Sequence, residues 1–412
     1  MYNFLKGRLT SVRLCLLLTA LALAAVGIAA IYSVGNPAEP SPAVEMEKVA
    51  NLWKKQLIFA VIALMCFVAA NLVNYRKLGT VSYWIYAGIL VLLALLVVSR
   101  YVLKLPFAPE SHNAHRWIVL HPRLPWIQPS EFCKLAYILA LAWYLRYRSN
   151  YRNFTALLGP FILTLLPMVL ILVEPDLGTV MLMMPVLLTM LFVAGAKVKH
   201  LLMVVLAALL LSPLLWSKMK PYQQTRISSV ILQSAWIREK AERHPTLGRI
   251  LVGGRFSTKQ WMRDEGYQLI RSKFAVASGG MKGYGFRKGL FVKYDFLPDR
   301  DNDFIFAMIA HQWGFLGCLF VLGLYALIVG CGLEIAANNT DPFGRLLAVG
   351  IVAMFAVEVL VNVSMTTGLM PITGLTLPLV SYGGSSLLVS MVSVGLLNNV
   401  GRCRPFSVAP KR

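Results

Sequence analysis

The sequence has few charged residues, and acidic residues are especially scarce. Only 14% of its 412 residues are Asp, Glu, Lys or Arg, and 18 acids stand against 40 Lys and Arg, for a net charge of +22. By contrast, 58% of the residues are hydrophobic and the mean hydropathy is +0.65. A soluble multi-domain protein is not this apolar. The composition therefore predicts an all-α polytopic membrane protein.

Cysteine and histidine are also scarce, with six of each. The cysteines lie mostly within or at the ends of apolar runs, and they form no CxxC pair and no cluster with histidines. We interpret them as small apolar residues rather than disulfide partners or metal ligands. No nucleotide-binding motif is present, which excludes ATP-driven transport by this chain alone. Nothing in the pattern predicts a nucleic acid partner.

Apolar runs long enough to cross a membrane recur along the chain. The first is too long for the apolar part of a cleaved signal, so we interpret it as an uncleaved span. Lys and Arg in short loops mark the cytoplasmic side; 15 fall on the side of the N-terminus and seven on the other, so both termini are predicted to be cytoplasmic. The predicted spans are 14–34, 56–73, 81–98, 131–145, 155–172, 177–195, 200–216, 303–329, 346–366 and 382–400.

A large outer loop, residues 217–302, lies between spans seven and eight. It carries 17 Lys and Arg against seven acids. Long loops translocate regardless of charge, so the basic surface needs another reason. Anionic lipid headgroups or a pyrophosphate substrate would supply one, and a solvated loop without a ligand is the alternative. Apolar residues at helical spacing predict amphipathic helices over 227–237 and over 267–277, the second ending at Gly279-Gly280.

Four polar clusters stand at the predicted outer membrane boundary: 116–134, 174–179, 295–303 and 371–386. Asp303 opens the apolar run of span eight, and an ionisable group at that depth is costly enough to suggest a function. It could equally cap the helix, or do both. Ser130 and Asp176 are further candidate caps, and Glu131 and Lys134, three residues apart, can pair on one helical face.

The residues of these clusters and their order along the chain resemble the SEDS family of FtsW/RodA-type proteins. The resemblance extends from about residue 70 to residue 400. The matching stretches are Arg116-Trp117-Ile118, Gln128 to Glu131 with Lys134, Glu174 to Thr179, Gly266-Tyr267-Gln268, Asp303 to Phe306, and Leu377 to Ser386. The chain departs from the residues usual in the family around Asp299–Asn302, at His311-Gln312 and at Glu358.

The resemblance implies a single SEDS-type transmembrane domain over residues 1–412, with ten spans, in the bacterial cytoplasmic membrane. It implies a peptidoglycan glycosyltransferase that polymerises lipid II, a disaccharide-pentapeptide on undecaprenyl pyrophosphate. The implied partners are a class B penicillin-binding transpeptidase and other divisome or elongasome membrane proteins. The residues from Gly374 to Pro378 favour the branch of the family that serves cell division.

The resemblance also assigns roles to residues. The family's essential acid falls on Asp303, which we expect to act as the general base, and a further important acid falls on Asp295. Arg, Lys or a divalent cation such as Mg²⁺ or Mn²⁺ would stabilise the leaving pyrophosphate, and we predict no metal site built by the protein alone. The predicted substrate-binding residues are Arg116, Trp117, Gln128, Glu131, Lys134, Gln268, Arg271, Lys273, Asp295, Asp299, Ser381 and Tyr382.

Two other classes of function compete with the enzyme. A flippase or transporter for the lipid-linked precursor would use Asp303 or Glu358 to bind a cation or headgroup, and a scaffold would only recruit a transpeptidase. A transporter needs essential residues on both sides of the bilayer. The polar clusters instead collect on the predicted outer side, which favours an enzyme.

Overall fold

The computed structural model describes residues 9–39, 49–101, 109, 116–119, 126–147, 154–174 and 176–402. Within these ranges the regular structure is helical, apart from an isolated antiparallel bridge between Ile118 and Ile127. The helices in chain order are α1 (Thr10–Gly35), α2 (Leu52–Leu72), α3 (Tyr75–Tyr101), α4 (Pro129–Leu145), α5 (Leu158–Val173), α6 (Leu177–Val193), α7 (Val198–Lys218), α8 (Pro221–Ser228), α9 (Ala235–Arg243), α10 (Pro245–Val252), α11 (Thr258–Trp261), α12 (Glu265–Ser278), α13 (Leu290–Lys293), α14 (Ile305–Ala337), α15 (Pro342–Thr367) and α16 (Gly384–Arg402).

Each predicted span coincides with one helix among α1–α7 and α14–α16, so the all-α membrane fold is confirmed. Of the helices described, seven are long and apolar enough to cross a membrane, and α5 and α6 are shorter apolar helices. Helix α4 is 17 residues long and carries two charged side chains in its first two turns. Ten crossings, and the orientation of the termini, remain predictions.

The centre of the bundle is formed by α15 and α16. In the most apolar window of each helix, 78% of α15 and 83% of α16 is buried within the protein, against 6% of α7. Helix α15 packs against α4, α6, α14 and α16. Gly350 permits part of this contact, since a Cβ atom there would lie 2.6 Å from Ile138 Cγ2 and 2.8 Å from Met190 Sδ.

Helix α14 is broken at Gly314, where φ is 66° and ψ is −161°. The break frees carbonyl groups that the preceding loop uses: the Tyr284 N–H donates to His311 O at 3.1 Å, and the Gly285 N–H donates to Gln312 O at 2.8 Å. A Cβ atom at Gly314 would lie 2.5 Å from Gly283 N, so this position needs glycine both for space and for its positive φ. The break fastens the outer loop to the bundle.

The sequence predicts two amphipathic helices in the outer loop. The prediction over 227–237 is wrong and the one over 267–277 is confirmed. Residues 227–237 are divided between α8 and α9 by a turn. Arg238 stabilises the turn by donating to the carbonyls of Leu232 and Gln233 at 2.8 and 2.9 Å. Hydrogen bonds to a side chain compete here with continuation of the helix. Helix α12 covers the second prediction and ends, as expected, at Gly279.

Candidate active site

A cavity of about 540 Å³ opens at the predicted outer end of the bundle. Helices α4, α6 and α16 begin there, and the chain enters α14 beside them. Helix N-termini carry partial positive charge and free N–H groups, so their convergence favours an anionic ligand. The cavity is lined by Arg116, Trp117, Trp126, Gln128, Glu131, Asp176, Thr179, Arg226, Gln268, Asp299, Asn302, Asp303, residues 372–376 and residues 382–386.

Asp303 lies in this wall, half-buried, two residues before α14. Its Oδ1 atom is buried and has no hydrogen-bond partner among the described residues. The predicted role as a helix cap is wrong, because Phe304 occupies the N-cap position and no side chain caps the helix. Burial, followed by the neighbouring Asp299 carboxylate, raises the pKa of Asp303 to about 7, while Arg226 and Arg116 act in the opposite direction. A carboxyl group with this pKa can exchange protons near neutral pH.

The backbone that carries Asp303 is fixed by three consecutive hydrogen bonds. The carbonyl groups of residues 301, 302 and 303 accept, in that order, from the Tyr382 N–H at 2.9 Å, the Ser381 hydroxyl at 2.6 Å and the Asn362 amide at 3.0 Å. The Asn362 amide also donates to Leu375 O at 2.7 Å. These bonds orient the carboxylate without using its own oxygens, which leaves it available for a ligand.

The segment that supplies two of these donors is itself anchored from two helices. Gln56 of α2 donates to Ser381 O at 3.1 Å and accepts from the Gly383 N–H at 3.2 Å. Tyr325 of α14 donates to Pro378 O at 2.5 Å. Gln56 is 1% and Tyr325 3% exposed, so neither reaches solvent from this position. Ser381, predicted to bind substrate, does not line the cavity, and its hydroxyl donates to the Asn302 carbonyl.

Arg116 and its neighbours reach the cavity through the small bridge between Ile118 and Ile127. The Ile118 N–H donates to Ile127 O at 2.7 Å, and the reverse bond is 3.0 Å. Arg116 Nε donates to the carbonyl of Glu174 at 2.7 Å, which ties this segment to the end of α5. Trp117 and Trp126 meet edge to face with ring centroids 6.3 Å apart. The cavity therefore has one wall with a cation and two indole rings.

Asp176 links the beginnings of α4 and α6. Its Oδ1 atom accepts from the Thr179 N–H at 3.2 Å, which confirms the predicted cap of α6. Its Oδ2 atom accepts from the hydroxyls of Ser130 at 2.9 Å and Thr179 at 3.0 Å. The prediction that Ser130 caps α4 is wrong, because Gln128 stands at the N-cap and the Ser130 hydroxyl is used by Asp176.

Lys134 lies beneath the cavity floor, in a buried cluster of three charged groups. Its Nζ atom is 2.7 Å from Glu131 Oε2 and 2.5 Å from Glu358 Oε1. The predicted pairing of Glu131 with Lys134 is confirmed, and Glu358, inside α15, accepts a hydrogen bond from Lys134. Glu131 also lines the cavity, so the cluster connects the site with the middle of α15. Lys134 itself is 1% exposed and does not reach the cavity wall.

Several predicted substrate-binding residues lie outside the cavity wall. The Arg271 guanidinium packs over the rings of Tyr267 and Phe296, each at 5.2 Å. Lys273 donates to Gln233 Oε1 at 2.7 Å. Asp295 is exposed and lies 3.5 Å from the buried Arg300 guanidinium. These residues lie near the family motifs in the sequence. In the structure, however, each side chain contacts another residue outside the cavity wall.

Other residues of the site were missed by the sequence interpretation. Arg226 lines the cavity, although its position in the chain showed only an amphipathic stretch. Asn362 and Gln56 hold the loops around Asp303 from within apolar helices. A polar amide inside an apolar span is a usable signal, because such a group must find a partner there. The signal does not reveal which backbone the amide will bind.

Comparison with known proteins identifies the family. The model of the FtsW/RodA/SpoVE family of cell cycle proteins matches residues 13–404. The chain belongs to this family. It is 33% identical to the peptidoglycan glycosyltransferase RodA of Treponema pallidum, over 93% of this chain and 96% of that protein. It is 32% identical to the peptidoglycan glycosyltransferase MrdB of Escherichia coli K12, over 81% of this chain and 83% of that protein.

Solved structures agree with the fold. RodA of Thermus thermophilus matches with a TM-score of 0.63 and 28% identity, over 94% of this chain and 95% of that one. A chain from a study of the structural coordination of polymerization and crosslinking by a peptidoglycan synthase complex matches with a TM-score of 0.69 and 29% identity, over 94% of this chain and 96% of that one. A relative named FtsW is 31% identical, so the leaning towards the division branch remains a prediction.

The buried charge cluster gives a test of stability. Lys134→Met leaves Glu131 and Glu358 facing each other without a cation, and we expect it to lower the free energy of unfolding by about 3–5 kcal/mol. Glu358→Gln keeps a hydrogen bond to Lys134 and the pair with Glu131, so we expect a change of about 1 kcal/mol or less. Thermal unfolding in detergent measures both. Equal losses in the two variants would contradict the arrangement.

Proposed function

We propose that this chain is a peptidoglycan glycosyltransferase that polymerises lipid II, with Asp303 as the general base. The observation that carries the proposal is a carboxylate with a free, buried oxygen atom, opposite two arginines, in a cavity where three helices begin. The similarity to proteins named peptidoglycan glycosyltransferases extends over most of this chain and supports the reaction class. A transporter would need essential residues on both sides of the bilayer, and a scaffold has no use for an unpaired base at that position.

The reaction joins two sugars. A hydroxyl of the acceptor sugar gives its proton to a carboxylate oxygen of Asp303 while its oxygen forms a bond to the anomeric carbon of the donor. The bond from that carbon to the pyrophosphate oxygen breaks, and the leaving group keeps the electron pair. One carboxylate is sufficient, since pyrophosphate leaves without a strong acid. Positioned general bases contribute about 10²–10⁴-fold to the rate.

The leaving pyrophosphate develops charge that Arg116 and Arg226 can stabilise from the cavity wall. Guanidinium groups match phosphate oxygens bidentately, which makes arginine suited to this role. A divalent cation could share it: Asp299 and Asp303 offer carboxylates, and magnesium commonly binds one or two carboxylates together with substrate phosphates. The described residues include no group of three or more His, Cys, Asp or Glu that could hold a metal ion without the substrate.

The site's position fits a lipid substrate in the bacterial cytoplasmic membrane. The cavity lies where spanning helices end, so a lipid tail can stay in the bilayer while its headgroup enters. The chain is a multi-pass membrane protein by its apolar helices and its family. We further propose that the cavity faces outwards and that both termini are cytoplasmic, because Lys and Arg are concentrated in the opposite short loops.

A membrane partner would pack against the α14–α15 face. An apolar groove of about 350 Å³ runs between the two helices and is lined by residues that include Tyr325, Phe355 and Leu360. Tyr325 also donates to Pro378 beside the active-site loop, so this face is in contact with the site. We propose a class B penicillin-binding transpeptidase as the partner, and the likeness to a chain from a peptidoglycan synthase complex supports it. Other membrane proteins of the divisome or elongasome would join this assembly.

Asp303→Asn tests the proposed base. The amide keeps the size of the side chain but cannot accept the proton, so we expect polymer formation from lipid II to fall by about 10²–10⁴-fold. Thermal stability should be unchanged or higher, since an unpaired buried carboxylate is costly. Gel analysis of polymer made by the purified protein, with its transpeptidase partner added, measures the effect. A variant that keeps more than about a tenth of the activity would contradict a general-base role.

The pKa of Asp303 predicts the pH dependence of the reaction. The base acts as a carboxylate, and its pKa is raised to about 7. Below that pH the proton-bound form accumulates, so kcat/KM should fall about tenfold per pH unit, and above it the profile should level off. Initial rates over a range of pH measure this, with thermal unfolding as the control. A flat profile through pH 7 would contradict the assignment.

Two glycine substitutions separate the partner surface from internal packing. A Cβ atom at Gly323 would meet no described atom within 4 Å, whereas one at Gly350 would clash with Ile138 and Met190. Gly350 therefore packs inside the bundle, whereas Gly323 is exposed. Gly323→Leu should reduce co-purification of the transpeptidase without loss of stability. Gly350→Leu should cost about 1–3 kcal/mol of stability through overpacking. Undiminished binding by the Gly323 variant would place the contact elsewhere.

A further inference from the structure

A second cavity of about 330 Å³ adjoins the active site on the side of the outer loop. The two cavities share the side chains of Arg226, Gln268 and Ile372, which form a common wall. A substituent on a sugar held near Asp303 can therefore enter the second cavity without leaving the protein. The remaining lining residues are Ser229, Arg263, Asp264, Tyr267 and Pro298.

Among the polar residues that line this second cavity, Ser229 is engaged with the protein through Thr225 and Trp261, whereas four longer side chains are not. Within the described part of the chain, the side chains of Arg226, Arg263, Asp264 and Gln268 make no hydrogen bond or ion pair. Asp264 stands at the N-cap of α12, yet its carboxylate caps nothing. By contrast, Arg238 of the same loop donates to two carbonyls in the turn before α9. Polar groups kept around a cavity without protein partners are available to a ligand.

The charged side chains of the second cavity indicate the chemistry of its ligand. The Arg263 guanidinium matches a carboxylate bidentately, and the Asp264 carboxylate matches an ammonium group, while Arg226 is shared with the active site. A second pyrophosphate would meet the like charge of Asp264, which disfavours it. Tyr267, Pro298 and Ile372 supply apolar surface for aliphatic chain atoms. The combination suits a short peptide that carries free carboxylates and an amine, and the volume lies within the range of small-ligand pockets.

We infer that this cavity binds the peptide stem of the lipid-linked substrate, with Arg263 on a stem carboxylate and Asp264 on a stem amine. The inference rests on the proposed function, because the stem is carried by the sugar that reacts beside Asp303. It adds a basis for substrate selection to the reaction: the stem would be recognised by the outer loop, while the pyrophosphate is recognised by the helix ends and Arg116.

Steady-state kinetics with two substrates test the inference. One substrate is lipid II with its full pentapeptide, and the other is the same undecaprenyl-pyrophosphate disaccharide without a peptide. Arg263→Ala should raise KM for the pentapeptide substrate about tenfold, the size expected for one lost charged hydrogen bond, with kcat retained. KM for the substrate without a peptide should not change. Asp264→Asn should also raise KM for the pentapeptide substrate alone. Acetylation of the stem amine should abolish this difference between the Asp264 variant and the unaltered protein.

Arg249→Ala is the matched control, because it removes the same charge from an exposed position of the same loop, outside both cavities. It should alter neither KM. The inference is overturned if Arg263→Ala and Asp264→Asn leave the ratio of the two KM values at that of the unaltered protein, or change both KM values equally. Because both side chains lack protein partners, we expect the variants to fold, and thermal unfolding checks this.

Binding of water-soluble muramyl pentapeptide, measured by calorimetry on the full chain, separates this inference from the proposed function. Binding that weakens about tenfold in Arg263→Ala supports the peptide site even if the protein polymerises neither substrate, in which case the proposed function alone fails. Polymer formation together with Arg263-independent peptide binding overturns the peptide site alone. Absence of both activities overturns both.

Discussion

The geometry of the site depends on how the backbone before α14 is held. An ionisable group can act as a base only if its oxygens are not used up in fixing its position. Here the carbonyls of residues 301–303 accept hydrogen bonds from the loop that precedes α16 and from Asn362 of α15. The carboxylate of Asp303 is thereby oriented through its main chain. This separation of positioning from chemistry leaves Oδ1 unpartnered in the described structure and allows burial to raise the pKa.

The same requirement explains why polar residues occur inside apolar helices. Gln56, Tyr325 and Asn362 lie on three different helices, and each donates to a carbonyl of the loop segment that surrounds the cavity. An irregular backbone near the bilayer must find internal partners, because lipid supplies none. The apolar helices thus do more than anchor the chain in a membrane: they supply the hydrogen bonds that an irregular loop needs.

Charged groups form three separate sets around the cavity. Below the floor, Lys134 neutralises Glu131 and Glu358 in a buried cluster, where the geometry joins α4 to α15. On the walls, the arginines and the helix N-termini create a region that favours anions. The outer loop adds a third set in Arg263 and Asp264, which have mixed sign and no protein partner. A substrate with a phosphate end and a peptide branch would find a different chemistry in each direction.

The sequence by itself determined which segments are helical and which residue is the most unusual. Long apolar runs have one stable arrangement in lipid, so the positions of the long helices followed from composition. The Asp176 cap and the Glu131–Lys134 pair followed from local spacing, because caps and i,i+3 contacts lie within one helical turn. Asp303 stood out as an ionisable group at the start of an apolar run. The motif order was sufficient to recognise the family, and the family in turn predicted the reaction.

Only the tertiary structure decided which of the motif residues reach the cavity. Arg226 and Asp303 lie 77 positions apart in the chain yet share a wall, whereas Lys273 and Asp295, closer to Asp303 in sequence, turn to partners within the loop. The helix predicted over 227–237 failed for a local reason, since the Arg238 side chain donates to the carbonyls of the intervening turn. Hydrogen bonds between segments distant in the chain depend on the packing of the whole bundle, and periodicity carries no information about them.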